Sequence, residues 1–296
     1  MKILLALPLF ALLASSLPAA DTNIIAPGAT LQKRADGFLF TEGPACDSQG
    51  NVFFTDQPND RILKWSADGK LSTFLHPCGR ANGLCFDSQG QLWACADEKN
   101  QLWRIDPAGN PTVVVSNYQG KLLNGPNDVW LRPDRGLYIT DPYYKRSYWN
   151  RGPKELDECV YYLSPDAKTL TCVISDMTRP NGIIGTPDGN TLYVSDIDGH
   201  KTWRYHIQPN GSLTEKTLFC SLGSDGMTID NEGNLYLTGH GVSIFDPTGK
   251  QIAHIDVPES WTGNICFGGQ DRHTLFITAS KSLYTLQMRV HGVGSQ

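Results

Sequence analysis

The sequence predicts an all-β fold, a six-bladed β-propeller closed by an N-terminal strand that completes the last blade. Three observations predict it. One turn string recurs six times, an apolar or aromatic strand start follows each copy, and the last unit is one strand short.

The recurring turns are 47–51 (Asp-Ser-Gln-Gly-Asn), 87–91, 132–136, 186–190, 230–234 and 269–273. The strand starts behind them are Val52-Phe53, Leu92-Trp93, Leu137-Tyr138, Leu192-Tyr193, Leu235-Tyr236 and Leu275-Phe276. Repeats in fixed register, each bounded by Gly, Asp and Asn, are the signature of radially repeated sheets. A second turn recurs at 66–70, 106–110, 164–168, 208–212 and 246–250, so every unit but the last reads as four strands. The last unit lacks its outer strand. Thr30 to Arg34, extended and otherwise unassigned, is expected to supply it and remove the free sheet edges.

The chain has 296 residues, 29 Gly, 18 Pro and a net charge of −5. No Lys/Arg run stands out, so neither a nucleic-acid partner nor an anionic membrane is expected. Lys2, the apolar run Ile3 to Leu13 and the small residues ending at Ala20 have the layout of a secretory signal peptide. Residues 1–20 are therefore read as a leader and 21–296 as one propeller domain, periplasmic or secreted. The eight cysteines, an even number, permit disulfides in that setting. Cys159 and Cys172 flank a hairpin and can face each other across it. The third unit carries an insertion, Asp141 to Asp157, with Tyr143, Tyr144, Lys145, Arg146, Tyr148 and Trp149. A long aromatic, basic loop there reads as a channel lid or a packing flap.

Aligning the units brings a second set into register. The residues at the start of the six innermost strands are Glu42, Asn82, Asn127, Asn181, Asp225 and Asn264. Each Asn-Gly or Asp-Gly alone is an ordinary turn. Six oxygen-bearing side chains in register, with no hydrophobe among them, converge instead on the channel axis. Two carboxylates with amide oxygens suit one hard divalent cation, Ca²⁺ first, with Zn²⁺, Mn²⁺ or Fe²⁺ as alternatives. Asn82 and Asn264 are the weakest members of the set. No H-E-x-x-H, nucleophile-elbow or phosphate-loop string is present. His240 stands after a second strand, where a structural role outweighs one as acid or base.

With Thr41-Glu42-Gly43-Pro44, Asn124-Gly-Pro-Asn127-Asp128, Arg179-Pro180-Asn181-Gly182 and Ser224-Asp225-Gly226-Met227, the chain resembles the senescence marker protein (regucalcin)/gluconolactonase family over about Phe38 to Val290. The resemblance implies a metal-dependent hydrolase that opens a small sugar lactone. It implies metal ligands at Glu42, Asn181 and Asp225, with Asn127 on metal or substrate and Asp128 near the sugar hydroxyls. Asp225 is also the expected general base. One departure is Gly125, where regucalcin-like members carry a substrate-binding Arg; Lys145 or Arg146 of the insertion could replace it. Promiscuous arylesterase or phosphotriesterase chemistry at the same metal, or a non-catalytic ligand-binding propeller, are the alternative readings.

Overall fold

The structure is a computed structural model that describes residues 24–293; the leader reading of residues 1–20 lies outside them. Its strands form six four-stranded sheets. Strand β1 (Gln32–Asp36) comes first. Blade 1 then holds β2 (Thr41–Cys46), β3 (Val52–Asp56), β4 (Arg61–Trp65) and β5 (Leu71–Leu75), and blade 2 holds β6 (Ala81–Phe86), β7 (Leu92–Ala96), β8 (Gln101–Ile105) and β9 (Pro111–Val115). Blade 3 holds β10 (Val129–Leu131), β11 (Leu137–Asp141), β12 (Cys159–Leu163) and β13 (Leu170–Ile174), and blade 4 holds β14 (Pro180–Gly185), β15 (Thr191–Asp196), β16 (Lys201–Ile207) and β17 (Leu213–Cys220). Blade 5 holds β18 (Met227–Ile229), β19 (Leu235–Gly239), β20 (Gly241–Phe245) and β21 (Gln251–Ile255), and blade 6 holds β22 (Thr262–Gly268), β23 (Thr274–Ala279) and β24 (Ser282–Gln287).

The last blade is completed as the missing turn predicted. β1 pairs antiparallel with β24, Gln32 opposite Thr285 and Asp36 opposite Ser282. The strand starts two residues later than Thr30. Among the described residues no helix is long and apolar enough to cross a membrane.

The turn strings fold as their chemistry dictates. Asp47 Oδ1 accepts the N–H groups of Gln49 and Asn51, both at 2.9 Å, while Gly50 takes the left-handed conformation at φ 84°. The same Asp bonds recur at Asp87, Asp106, Asp230 and Asp246. Between blades the strands bury apolar faces on one another. Trp130, Tyr138 and Tyr162 of blade 3 meet Ile183, Leu192 and Val194 of blade 4 in one such cluster. All eight cysteines are thiols; those of Cys159 and Cys172 lie 2.7 Å apart across the β12–β13 hairpin.

Candidate functional site

The six in-register residues stand where the innermost strands begin, and the backbone there is irregular. Pairing registers shift between Glu42 and Ala45, Ala81 and Leu84, Pro180 and Ile183, and Thr262 and Asn264. Such bulges re-aim side chains off the sheet face. The glycine that follows leaves room for the neighbouring blade. A Cβ on Gly226 would stand 2.0 Å from the Asn264 side chain, and one on Gly43 2.1 Å from the carbonyl oxygen of Asn82.

Glu42, Asn82, Asn127 and Asp225 border one cavity of about 730 Å³ at a mouth of the channel. Glu42 is 1% exposed, whereas Asp225 stays partly open to the cavity. The two carboxyls are close enough for each to shift the other's proton affinity. Burial, then the charge of Asp225, push the Glu42 carboxyl well above the ordinary carboxylate range. Burial raises Asp225 to about 6, opposed by hydrogen bonds from Trp261 and Asn181.

Asn181 completes the cluster from blade 4. Its Nδ2 donates to the Tyr144 hydroxyl at 2.8 Å, and its Oδ1 is buried with no hydrogen-bond partner. A buried acceptor left bare beside the Asp225 carboxyl is expensive unless a cation completes it. Among the described residues no group of three or more His, Cys, Asp and Glu is arranged to hold a metal, so an ion here depends on amide oxygens too. The donor set of two carboxylates and amides fits a hard divalent cation.

The remaining members of the sequence-predicted set divide. Asn82 borders the cavity, whereas Asn264 faces the other half of the channel and its Oδ1 accepts the N–H of Ile265 at 2.8 Å. Asp128 also borders that other half. Its oxygens accept Val129 N–H at 2.9 Å and Ile183 N–H at 3.4 Å, and burial raises its carboxyl to about 7. His240 is exposed, borders the cavity and packs edge-on against Trp261, ring centroids 5.2 Å apart.

The insertion, residues 142–158, folds over the site. Tyr144 and Arg146 border the cavity, and Lys145 does not. The guanidinium groups of Arg146 and Arg179 lie 5.1 and 4.8 Å from the centre of the Tyr144 ring. Asp97 of blade 2 holds the insertion down. Its carboxylate accepts Arg146 Nε at 3.2 Å and the Tyr148 hydroxyl, and its carbonyl accepts Trp149 Nε1 at 3.2 Å. Trp149 also explains Gly125: a Cβ there would stand 2.8 Å from the indole and 2.5 Å from Asp97 Oδ1.

Sequence reasoning missed Asp97 and Trp261. Trp261 Nε1 donates to Asp225 Oδ2 at 2.6 Å from an irregular loop that no repeat aligns. Asp97 opens the connection after β7, one position past the strand-ending Asp56, Asp141 and Asp196 of blades 1, 3 and 4, which accept backbone N–H groups of their own blade's entry loop.

Known proteins share this arrangement of blades. A model of the SMP-30/Gluconolactonase/LRE-like region matches residues 40–281. The gluconolactonase of Zymomonas mobilis subsp. mobilis is 32% identical over 290 residues, covering 87% of this chain and 81% of that protein. Lactonase drp35 of Staphylococcus saprophyticus is 26% identical over 263 residues, covering 83% and 77%. The solved structure of a gluconolactonase from Xanthomonas campestris aligns with a TM-score of 0.84 at 30% identity, covering 90% of this chain and 91% of that one. With the family model spanning five blades and the two inner strands of the sixth, the chain belongs to the SMP-30/gluconolactonase/LRE-like family.

Proposed function

We propose that the protein hydrolyses a small sugar lactone at a divalent cation held by Glu42, Asn127, Asn181 and Asp225. The observation that carries the reading is the Glu42–Asp225 pair: two carboxyls that border one cavity and shift each other's proton affinity, with the bare, buried Oδ1 of Asn181 in the same cluster. The lactonase names of the relatives supply the reaction. Calcium is the first choice, since every donor is a hard oxygen.

When bound, the cation supplies Lewis acidity at the lactone carbonyl and charge for the developing oxyanion. The chain does the rest. Trp261 fixes Oδ2 of Asp225, and that oriented carboxylate takes the proton of the attacking water. Asn127, bordering the cavity, orients the substrate ring. Asp128, tied to backbone N–H groups beneath it, acts through the position of that strand. The Tyr144 hydroxyl accepts from Asn181 and keeps its own proton to donate to a substrate oxygen. Arg146 brings a permanent positive charge to the same wall, and the covering insertion limits water.

The test is pH-indicator hydrolysis of a panel of sugar lactones, phenyl acetate and a phosphotriester, after chelation and with Ca²⁺, Zn²⁺, Mn²⁺ and Fe²⁺ restored singly. Lactone turnover that vanishes on chelation and returns with one ion is the expected result. Full turnover after exhaustive metal removal, or no lactone turnover with any ion, defeats the proposal.

A further inference from the structure

The connections that rim the cavity are unequal. Between second and third strands, blades 1, 2 and 4 carry residues 57–60, 97–100 and 197–200, and blade 3 carries 142–158. In blade 5 the connection is His240 alone. The cavity follows that gap. Leu237, Thr238 and Gly239 of β19 and Gly241 and Ser243 of β20 border it, whereas no other blade lends it a residue from its second or third strand. The cavity therefore runs from the Glu42–Asp225 cluster outward over blade 5 as a groove.

Size and lining identify what lies there. About 730 Å³ is the scale of sites that take a ligand of several rings, roughly 300–1,000 Å³, and exceeds one lactone ring. Gly239 and Gly241 leave the floor without side chains. Trp261 stands on the blade 6 side, and Ile197, His200 and Leu222 stand on the blade 4 side. Flat rings on both sides, with Asp198 and His200 exposed beside them, match a sugar ring: apolar C–H faces against the rings, hydroxyls at the polar edge. A plain alkyl chain would leave the polar edge unmatched.

Resting on the lactone-hydrolase reading, we infer that the substrate carries a glycosyl arm: an oligosaccharide aldonolactone, its lactone ring at the Glu42–Asp225 cluster and its next sugar over blade 5. Water adds across the acyl C–O bond, and the aldonic acid leaves with the arm intact. Energy gained from the remote sugar appears in kcat/KM.

The experiment compares lactobiono-δ-lactone with glucono-δ-lactone, spontaneous hydrolysis subtracted, with calcium present. The expected kcat/KM ratio is about tenfold or more in favour of the disaccharide lactone. Ser243→Phe fills the groove, and Leu222→Arg, at a 37% exposed loop position that tolerates change, alters its wall. Either variant is expected to bring the ratio toward one while glucono-δ-lactone turnover is unchanged. Equal kcat/KM for the two lactones, with both variants unselective, overturns the inference and leaves the lactonase reading intact. Calorimetric binding of lactobionate against gluconate reads the groove without turnover. If no lactone is hydrolysed yet lactobionate binds about tenfold tighter than gluconate, the groove stands and the reaction falls; if neither acid is favoured, the groove falls with it.

Discussion

The indole N–H of Trp261 donates to Oδ2 of Asp225 at 2.6 Å, and the indole is itself fixed, because Trp261 N–H donates to Ser280 Oγ and that hydroxyl donates back to the Trp261 carbonyl. One oxygen of the most open carboxylate in the cluster is thereby committed, and the other is aimed.

Trp261→Phe keeps the ring and loses the bond. Divalent-ion affinity is expected to fall about 10–100-fold, the usual cost of removing a partner that orients a metal ligand. Calorimetric titration with calcium checks it, and an unchanged affinity would show that the bond orients nothing that matters to the ion.

Glu42→Gln removes a charge that burial and Asp225 both oppose. The amide can still accept Gly43 N–H, as Glu42 Oε2 does at 3.0 Å. In chelator the variant is expected to melt higher than the parent, by about 2–4 °C for each kcal/mol recovered. In calcium the parent is expected to regain the lead, since the proposed ion site needs the Glu42 charge. A variant that melts lower in both buffers would refute this account of the pair.

Asp97→Asn is expected to loosen the insertion. It weakens the charge-assisted bonds from Arg146 Nε and the Tyr148 hydroxyl, worth roughly 1.5–3 kcal/mol each. Trypsin cleavage at Lys145, Arg146 and Arg151 should accelerate about tenfold or more, read on gels against the intact ring. Equal cleavage rates would mean that the remaining contacts of the insertion suffice.

Asp141 gives a pH signature. Burial raises its carboxyl to about 7, despite the N–H groups of Asn124 and Gly125 that it accepts at 2.8 Å each. A folded-state value above the ordinary one means that the folded protein holds a proton the unfolded chain releases. Its contribution is therefore fully present below about pH 4 and is lost as pH rises toward 7, with a slope of up to about 1.4 kcal/mol per unit. Subtracting the Asp141→Asn stability profile from that of the parent isolates this slope. A flat difference between pH 4 and 7 would contradict it.

The blades and their closure were legible because turn chemistry is local: an Asp, a Gly and a following aromatic state where a strand starts whatever surrounds it. The convergence of Glu42, Asn82, Asn127 and Asp225 on one cavity was legible for the same reason, since register converts spacing into convergence, whereas Asn264 turns to the other half of the channel. Direction was not legible. Asn127 and Asp128 are neighbours in sequence, yet one borders the cavity and the other turns to the backbone of Val129 and Ile183. A bulged strand start, not residue type, decides which side each takes. Trp261 was hidden because its loop repeats nothing. Asp97 was hidden because it stands one position past the strand-end acids, where blade 1 has Gln57, and its partners Arg146, Tyr148 and Trp149 come from the insertion of the next blade.

The seam between β1 and β24 ties together segments some 250 residues apart, and Gly263 of the last blade lies against Glu42 of the first. A growing chain thus has no closed ring until Ser282–Gln287 has left the ribosome and found Gln32–Asp36. Long-range pairing of this kind is slow to form. Closure is therefore the last event to bring Gly263 of blade 6 against Glu42, so the proposed cation uptake should follow it in time, and a calcium-sensitive dye would time the moment the circle shuts.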